Sequence, residues 1–134
     1  MYLQPKKTKY KKHRKGKLPR FEHKVNKLQF GIIGLKALQS GSISSRQIEA
    51  ARQAITRKIK RNGRIWIRIF PNISVTSKPI EVRMGKGKGG VDHWISKVAS
   101  GRILFEIDGL PKKLAEAALH TGGAKLSIKT SIIS

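Results

Sequence analysis

Arg83-Met84-Gly85-Lys86-Gly87-Lys88-Gly89-Gly90 alternates glycine with lysine directly after a strand-like run. Glycine accepts positive φ and carries no Cβ, so such a loop can press backbone amides and two ammonium groups against a large anion. Phosphate is the candidate, either on a nucleotide or along a nucleic-acid backbone. Gly85, Gly87 and Gly90 formally meet the G-x-G-x-x-G spacing of dinucleotide sites, and Glu106 stands near the offset of the ribose-binding acid. The context does not fit. No capped helix opens after Gly90, lysines fill two variable positions, and Val91-Asp92-His93-Trp94 reads as strand. Nor does a Gly-Lys-Ser/Thr triplet close the segment, as a P-loop requires.

Other residues able to do chemistry are few. His13, His23, His93 and His120 are far apart and show no metal-ligand spacing. Asp92-His93 could form an acid–base pair, and Glu106 with Asp108 could share a strand face as paired carboxylates. In so cationic a chain, carboxylates more often serve as internal partners for lysine and arginine. There are no cysteines, which removes thiolate nucleophiles, disulfides and cysteine-ligated zinc together. No enzyme activity, metal, cofactor or small-molecule substrate is expected.

Charge decides whose phosphate is at stake. Thirty lysines and arginines against seven acids give a formal charge of +23 on 134 residues, a balance that calls for a polyanionic partner. With 38% hydrophobic residues the chain can still bury the core of one α+β domain. No apolar run approaches the roughly 18 residues of a membrane span, so no membrane partner is expected.

The elements that must position these groups follow from periodicity. Residues 1–27 form a basic extended arm, with Lys6, Lys7, Lys9, Lys11, Lys12 and Arg14 prominent and Glu22 the lone acid. Tyr2, Tyr10 and Phe21 are spaced among the cations, a composition suited to phosphate contact and base stacking. Such a run is expected to be disordered before RNA binds. Lysine outnumbers arginine and the first serine is Ser40, so the arm reads as mature protein rather than an organelle presequence.

Residues 28–134 form the single domain. Leu28 to Leu38 reads as a strand with a bulge or close approach at Gly31 or Gly34. After a turn at Ser40-Gly41, Ser44 followed by Gln47 marks a capping box and a helix to about Arg61, stopped by Asn62-Gly63. Ile48, Ala51, Ile55 and Ile59 share its apolar face, with Arg46, Gln53, Arg57 and Lys60 opposite.

Arg64 to Phe70 alternates as a half-buried strand, with Trp66 packing on its second face or offering a stacking surface. Turns at Pro71-Asn72 and Lys78-Pro79 bracket Ser74 to Ser77. Strands are expected at Ile80–Met84, Val91–Val98, Arg102–Ile107 and Leu126–Ile133, with a helix beginning at Pro111 and weakened or ended by Gly122-Gly123. The order β-α-β-β-β-β-α-β, without regular βαβ spacing, indicates a two-layer α+β domain.

Several blocks occur in an order that carries a specific resemblance. They are Leu3-Gln4-Pro5-Lys6-Lys7-Thr8-Lys9, Arg46-Gln47-Ile48-Glu49-Ala50-Ala51-Arg52, Ile65-Trp66-Ile67-Arg68-Ile69-Phe70-Pro71, Lys78-Pro79, Val82-Arg83-Met84-Gly85-Lys86-Gly87-Lys88-Gly89 and Leu104-Phe105-Glu106-Ile107-Asp108-Gly109. Together they resemble the bacterial and organellar large-subunit ribosomal protein sixteen family over nearly the whole chain. The resemblance implies an α/β-hammerhead type of fold and a structural place in the large ribosomal subunit.

It also implies binding to large-subunit ribosomal RNA, with neighbouring ribosomal proteins, near the path of the aminoacyl-site tRNA. Arg83, Met84, Gly85, Lys86, Gly87 and Lys88 would form the loop facing that tRNA and the peptidyl-transferase region. Lys6, Lys7, Lys9, Lys11, Lys12 and Arg14 would be arm contacts to ribosomal RNA, and Arg46, Arg52, Arg57 and Lys60 helix contacts.

The chain departs from many relatives at Gly122-Gly123, where they carry alanines. Its lysine and isoleucine bias, the Met1-Tyr2-Leu3 opening and Trp94-Ile95-Ser96-Lys97-Val98 look more like a mitochondrially encoded member, with a bacterial cytoplasm or a plastid as the alternatives. The competing function is a basic protein that compacts DNA or binds nucleic acid generally.

Overall fold

Helix α1 (Ser45–Lys58) starts where the serine–glutamine pair places it. In the computed structural model, which describes residues 3–134, the Ser44 hydroxyl accepts from the Gln47 amide at 3.2 Å. The Gln47 side chain accepts from the Ser44 amide at 3.0 Å, closing the box. Tyr2 lies outside the described residues.

The helix ends a turn earlier than Asn62-Gly63 would have it. Ile59 is the C-cap; the Lys60 amide donates to the Arg57 carbonyl and the Arg61 amide to that of Thr56. That pair of bonds is a Schellman ending, with Lys60 (φ +52) in the left-handed position where glycine is usual.

Strands β1 (Ile33–Ala37), β3 (Arg64–Ile67), β6 (Ile103–Asp108) and β7 (Thr130–Ile133) form an antiparallel sheet in the order β3-β6-β1-β7. A second antiparallel sheet, β2-β5-β4, is made by β2 (Gly41–Ser44), β4 (Ile73–Ser77) and β5 (Gly90–Val98). Helix α1 and helix α2 (Lys112–Gly123) pack on each other. Ile48, Ala51, Ile55 and Ile59 of the α1 segment meet Ala115, Ala118 and Leu119 of α2 and Ile33, Leu35, Phe105 and Ile107 of the first sheet in one core. The α+β class read from the sequence is the class observed.

Several expected elements are displaced. The first strand is confined to Ile33–Ala37, because the chain before it crosses β6 instead of pairing along it. A Cβ on Gly31 would stand 2.6 Å from the Ile107 carbonyl oxygen, so this is the expected close approach; the ladder slips between Leu35 and Lys36. No strand forms at Ile80–Met84. Pro79 lacks an N–H, Ile80 and Val82 are both exposed, and the segment makes a 3-10 turn at Ile80–Val82.

Two strands were not foreseen: β2 lay in the presumed turn, and β4 in the short segment between turns. Pro111 caps α2 from outside, with extended ψ, instead of occupying its first turn. Helix α2 runs through Gly122 and ends at Gly123, within the glycine pair expected to weaken or end it. Gly122 sits where a Cβ would lie 2.5 Å from Ile55, so the glycine lets α2 approach α1.

Candidate nucleic-acid interface

The Gly/Lys loop is the tip of a hairpin. Ser77 pairs with Gly90 at the base of β4 and β5, leaving residues 78–89 as the connection. Gly85 (φ +76), Lys86 (φ +56) and Gly87 (φ +81) are consecutively left-handed, which two glycines make inexpensive. Nothing lies within 4 Å of a Cβ built on Gly85 or Gly87, so backbone conformation requires these glycines, not crowding.

Lys78 ties the loop across its base by donating to the Gly85 carbonyl at 2.6 Å. Arg83, Met84, Lys86 and Lys88 are exposed, and Met84 is 91% accessible at the tip. The two loop lysines are not equivalent. Lys88 donates to the His13 carbonyl at 2.8 Å, while Lys12 donates back to the Lys88 carbonyl at 3.1 Å. Alike in sequence, Lys86 and Lys88 differ in place: Lys86 is exposed in the loop, and Lys88 is held on the arm.

The arm runs beside β5 in the same direction. His13 lies against Trp94 with ring centroids 6.3 Å apart, Lys97 donates to the Lys17 carbonyl at 3.1 Å, and the Ser100 amide donates to that of Arg20 at 3.3 Å. Buried Ser74 donates its one hydroxyl proton to the Lys11 carbonyl at 2.7 Å, so the His13 Nδ1 at 3.1 Å must carry a hydrogen and donate to the serine oxygen.

Backbone carbonyls of Lys11, His13, Lys17 and Arg20 hold the arm, helped by the side chains of Lys12 and His13. Lys6, Lys7, Lys9, Lys11, Lys12 and Arg14 are all exposed, and no carboxylate pairs with them among the described residues. Leu3 packs against the core and anchors the start of the arm.

On helix α1 the structure gathers Arg52, Arg57 and Lys60 around an open groove of about 500 Å³, with Gln53, Thr56 and Arg61 completing its walls. Arg46, in the first turn of the helix, is exposed but does not line the groove. Arg52 is fixed by a two-pronged contact with Glu49, at 2.7 and 3.0 Å, which holds the Glu49 carboxyl below its ordinary pKa. Arg61, at the expected end of the helix and not among the expected contacts, lies beyond the Ile59 cap with a left-handed φ of +65 and lines the groove.

Glu106 is fully buried, with both carboxylate oxygens taken up by internal partners. One carboxylate oxygen accepts from the amides of Gln29 (3.1 Å), Phe30 (2.6 Å) and Gly31 (2.8 Å), and the other pairs with Arg68. Burial alone would raise its pKa; the three amides and the guanidinium outweigh that and hold it below the ordinary value. Asp108 instead accepts from the Gly109 amide at 2.7 Å. Asp92 and His93 are in contact at 2.8 Å on the surface, and no cluster of three metal-ligating side chains occurs among the described residues.

A small α+β domain that turns basic arm, helix and hairpin tip outward has the surface of a polyanion-binding protein. The chain belongs to the Ribosomal protein L16p/L10e family, whose model matches residues 5–133. It is 57% identical over 131 residues to the large ribosomal subunit protein uL16 of Hyphomonas neptunium, covering 98% of this chain and 95% of that protein. The uL16 of Bartonella henselae is also 57% identical over 131 residues, with 98% and 96% covered, and that of Caulobacter vibrioides is 56% identical over 132, with 98% and 92% covered.

Proposed function

We propose that this chain is a structural, non-enzymatic constituent of the large ribosomal subunit that binds large-subunit ribosomal RNA. The observation that carries the reading is membership of the L16p/L10e family over nearly the full length, at up to 57% identity to proteins named for that subunit. In this reading residues 1–27 are an RNA-binding arm and residues 28–134 the domain it serves. The exposed cations Lys6, Lys7, Lys9, Lys11, Lys12, Arg14, Arg46, Arg57 and Lys60, with partly buried Arg52, displace counterions from RNA phosphates. Neighbouring ribosomal proteins are the further partners. The relatives named above are bacterial and favour a bacterial cytoplasm; a mitochondrial origin, drawn from the lysine and isoleucine bias, the Met1-Tyr2-Leu3 opening and the Trp94–Val98 segment, finds no support in them.

The finer part of the reading is that Arg83–Lys88 faces the aminoacyl-site tRNA near the peptidyl-transferase centre. Its support is an exposed, carboxylate-free tip presented on a hairpin. Sedimentation tests the first part: the native protein should remain with the large subunit in salt that strips loosely held basic proteins. If duplex DNA of equal charge competes as well as folded ribosomal RNA, the general nucleic-acid-binding reading wins. For the loop, Lys86→Ala should leave subunit occupancy unchanged and slow peptide-bond formation from aminoacyl-tRNA. Normal kinetics at full occupancy would remove the tRNA role.

A further inference from the structure

Beyond the cations, one face of the first sheet carries aromatic surface that the RNA-binding reading has not used. Phe30 is 51% exposed although it is a large apolar side chain. Its ring stacks on Trp66 with centroids 6.1 Å apart and an interplanar angle of 19°. The Arg68 guanidinium lies 4.8 Å from the Phe30 ring centre, held there by buried Glu106 and by the Gln29 side chain at 3.1 Å. Beside this stack opens a second groove of about 500 Å³, bordered by Phe30, Trp66, Arg64, Asp108, Gly63 and Gly109. Two of those six residues are glycines with positive φ, which leave the groove without side chains on that side.

The two grooves adjoin in sequence. Lys60 and Arg61 wall the basic groove on α1, and Gly63 and Arg64 wall the aromatic one, so a single tight turn joins them. The walls differ in chemistry. The first groove offers arginine and lysine with no acid among its lining residues. The second has a carboxylate, Asp108, which opposes a phosphate but can accept from the exocyclic amine of a base. Flat aromatic faces beside a fixed guanidinium suit a base ring in the same way.

We propose that the Phe30–Trp66 face is a stacking site for an unpaired base of single-stranded RNA, whose flanking phosphates run through the α1 groove at Arg57, Lys60 and Arg61. The site rests on the RNA-binding reading and adds to it a specific non-electrostatic contact. Arg64 stands at the junction, where it reaches the phosphate between the stacked nucleotide and its neighbour. Glu106 and Gln29 are positioning residues, because they set Arg68 and, through the 29–31 backbone, Phe30.

The test uses the full-length protein with two probes of equal length and charge, a 12-mer oligoadenylate and the matching abasic ribose-phosphate oligomer. Stacking of one base predicts that wild type prefers the base-bearing probe by about tenfold. Phe30→Leu, which keeps an apolar side chain, should bring that preference to near unity while leaving the salt dependence of binding unchanged. Lys60→Gln should weaken both probes equally and lower the salt slope by about 0.7. Thermal melts confirm that each variant is folded, and Phe30→Tyr, which retains the ring, should restore the preference.

A wild-type preference that survives Phe30→Leu would overturn the proposal by placing stacking elsewhere, for example on Tyr10 or Phe21 in the arm. No preference in the wild type, with normal incorporation into large subunits, would also overturn it and would assign the aromatic face to a protein neighbour. Failure of RNA binding altogether, for both probes and for ribosomal RNA, would instead remove the functional reading beneath it.

Discussion

Glu106 joins three segments distant in sequence: the 29–31 crossing, the Arg68 side chain and its own strand β6. Its folded pKa lies below the ordinary 4.5, because amides and guanidinium outweigh the cost of burial. A carboxyl depressed on folding contributes stability in full above its unfolded pKa, and that contribution is lost as pH falls through the folded value. The protein should therefore lose stability progressively below about pH 5. Glu106→Gln, which leaves Arg68 without its carboxylate, should cost about 3 kcal/mol at neutral pH and flatten the acid limb of the stability curve. Denaturant melts of both proteins from about pH 7 to about pH 3 measure this. An acid limb equally steep in the variant would mean that other carboxylates control it. The role as an internal partner for arginine was readable from the scarcity of acids; the three amides were not, because only the fold brings residues 29–31 over β6.

Among the elements, those dictated by local chemistry were readable and those dictated by distant pairing were not. The Ser44–Gln47 box and the three- and four-residue spacing of Ile48, Ala51, Ile55 and Ile59 act within one helix, and both survive in α1 and its C-cap. The isoleucines of β3 likewise face the core. Strands β2 and β4 are short and serine-rich, and each exists because β5 lies between them to pair with both. The basic arm, helix and loop were equally plain as cation-rich segments. What stayed hidden is backbone: the carbonyl that holds Lys88 and the turn that brings Arg61 to the groove.

The left-handed Lys60 carries a prediction at this scale. A β-carbon in that conformation costs about 1 kcal/mol, and glycine would avoid it. Lys60→Gly should therefore raise stability by about 0.5 kcal/mol, after the extra freedom of glycine in the unfolded chain is subtracted. The same change should lower the salt slope of RNA binding by about 0.7 to 0.9. Calorimetry and salt titration test the two halves. Lower stability in the glycine variant would show that the lysine is not strained, and an unchanged slope would show that it meets no phosphate.

At the scale of the whole molecule, charge opposes the fold and drives the binding, so salt should act on the two in opposite directions. The formal charge is +23, and the described residues contain three ion pairs, Arg52–Glu49, Arg68–Glu106 and Arg102–Glu22, with His93 and Asp92 in hydrogen-bond contact besides. Most cations have no carboxylate near them, and the tethered lysines bond to neutral groups that leave their charge uncancelled: Lys12, Lys78, Lys88 and Lys97 to backbone carbonyls and Lys112 to the Ser134 hydroxyl. Repulsion among these charges extends over about 10 Å at 0.1 M salt and about 3 Å at 1 M. Screening should thus stabilise the free protein, raising its melting temperature as salt increases from about 0.05 to about 0.5 M. The arm should gain most, because its attachments are few hydrogen bonds between like-charged segments. Proteolysis between Lys6 and Lys17 should slow with added salt in the free protein. RNA affinity should fall over the same range, since each neutralised phosphate returns its counterion at a cost that rises with salt concentration. Melts in sodium chloride, limited proteolysis and filter binding on one preparation give the three trends. A melting temperature that falls with salt would mean the ion pairs outweigh the repulsion among the remaining cations, and the account of the arm as a charged strap held against its own kind would fail with it.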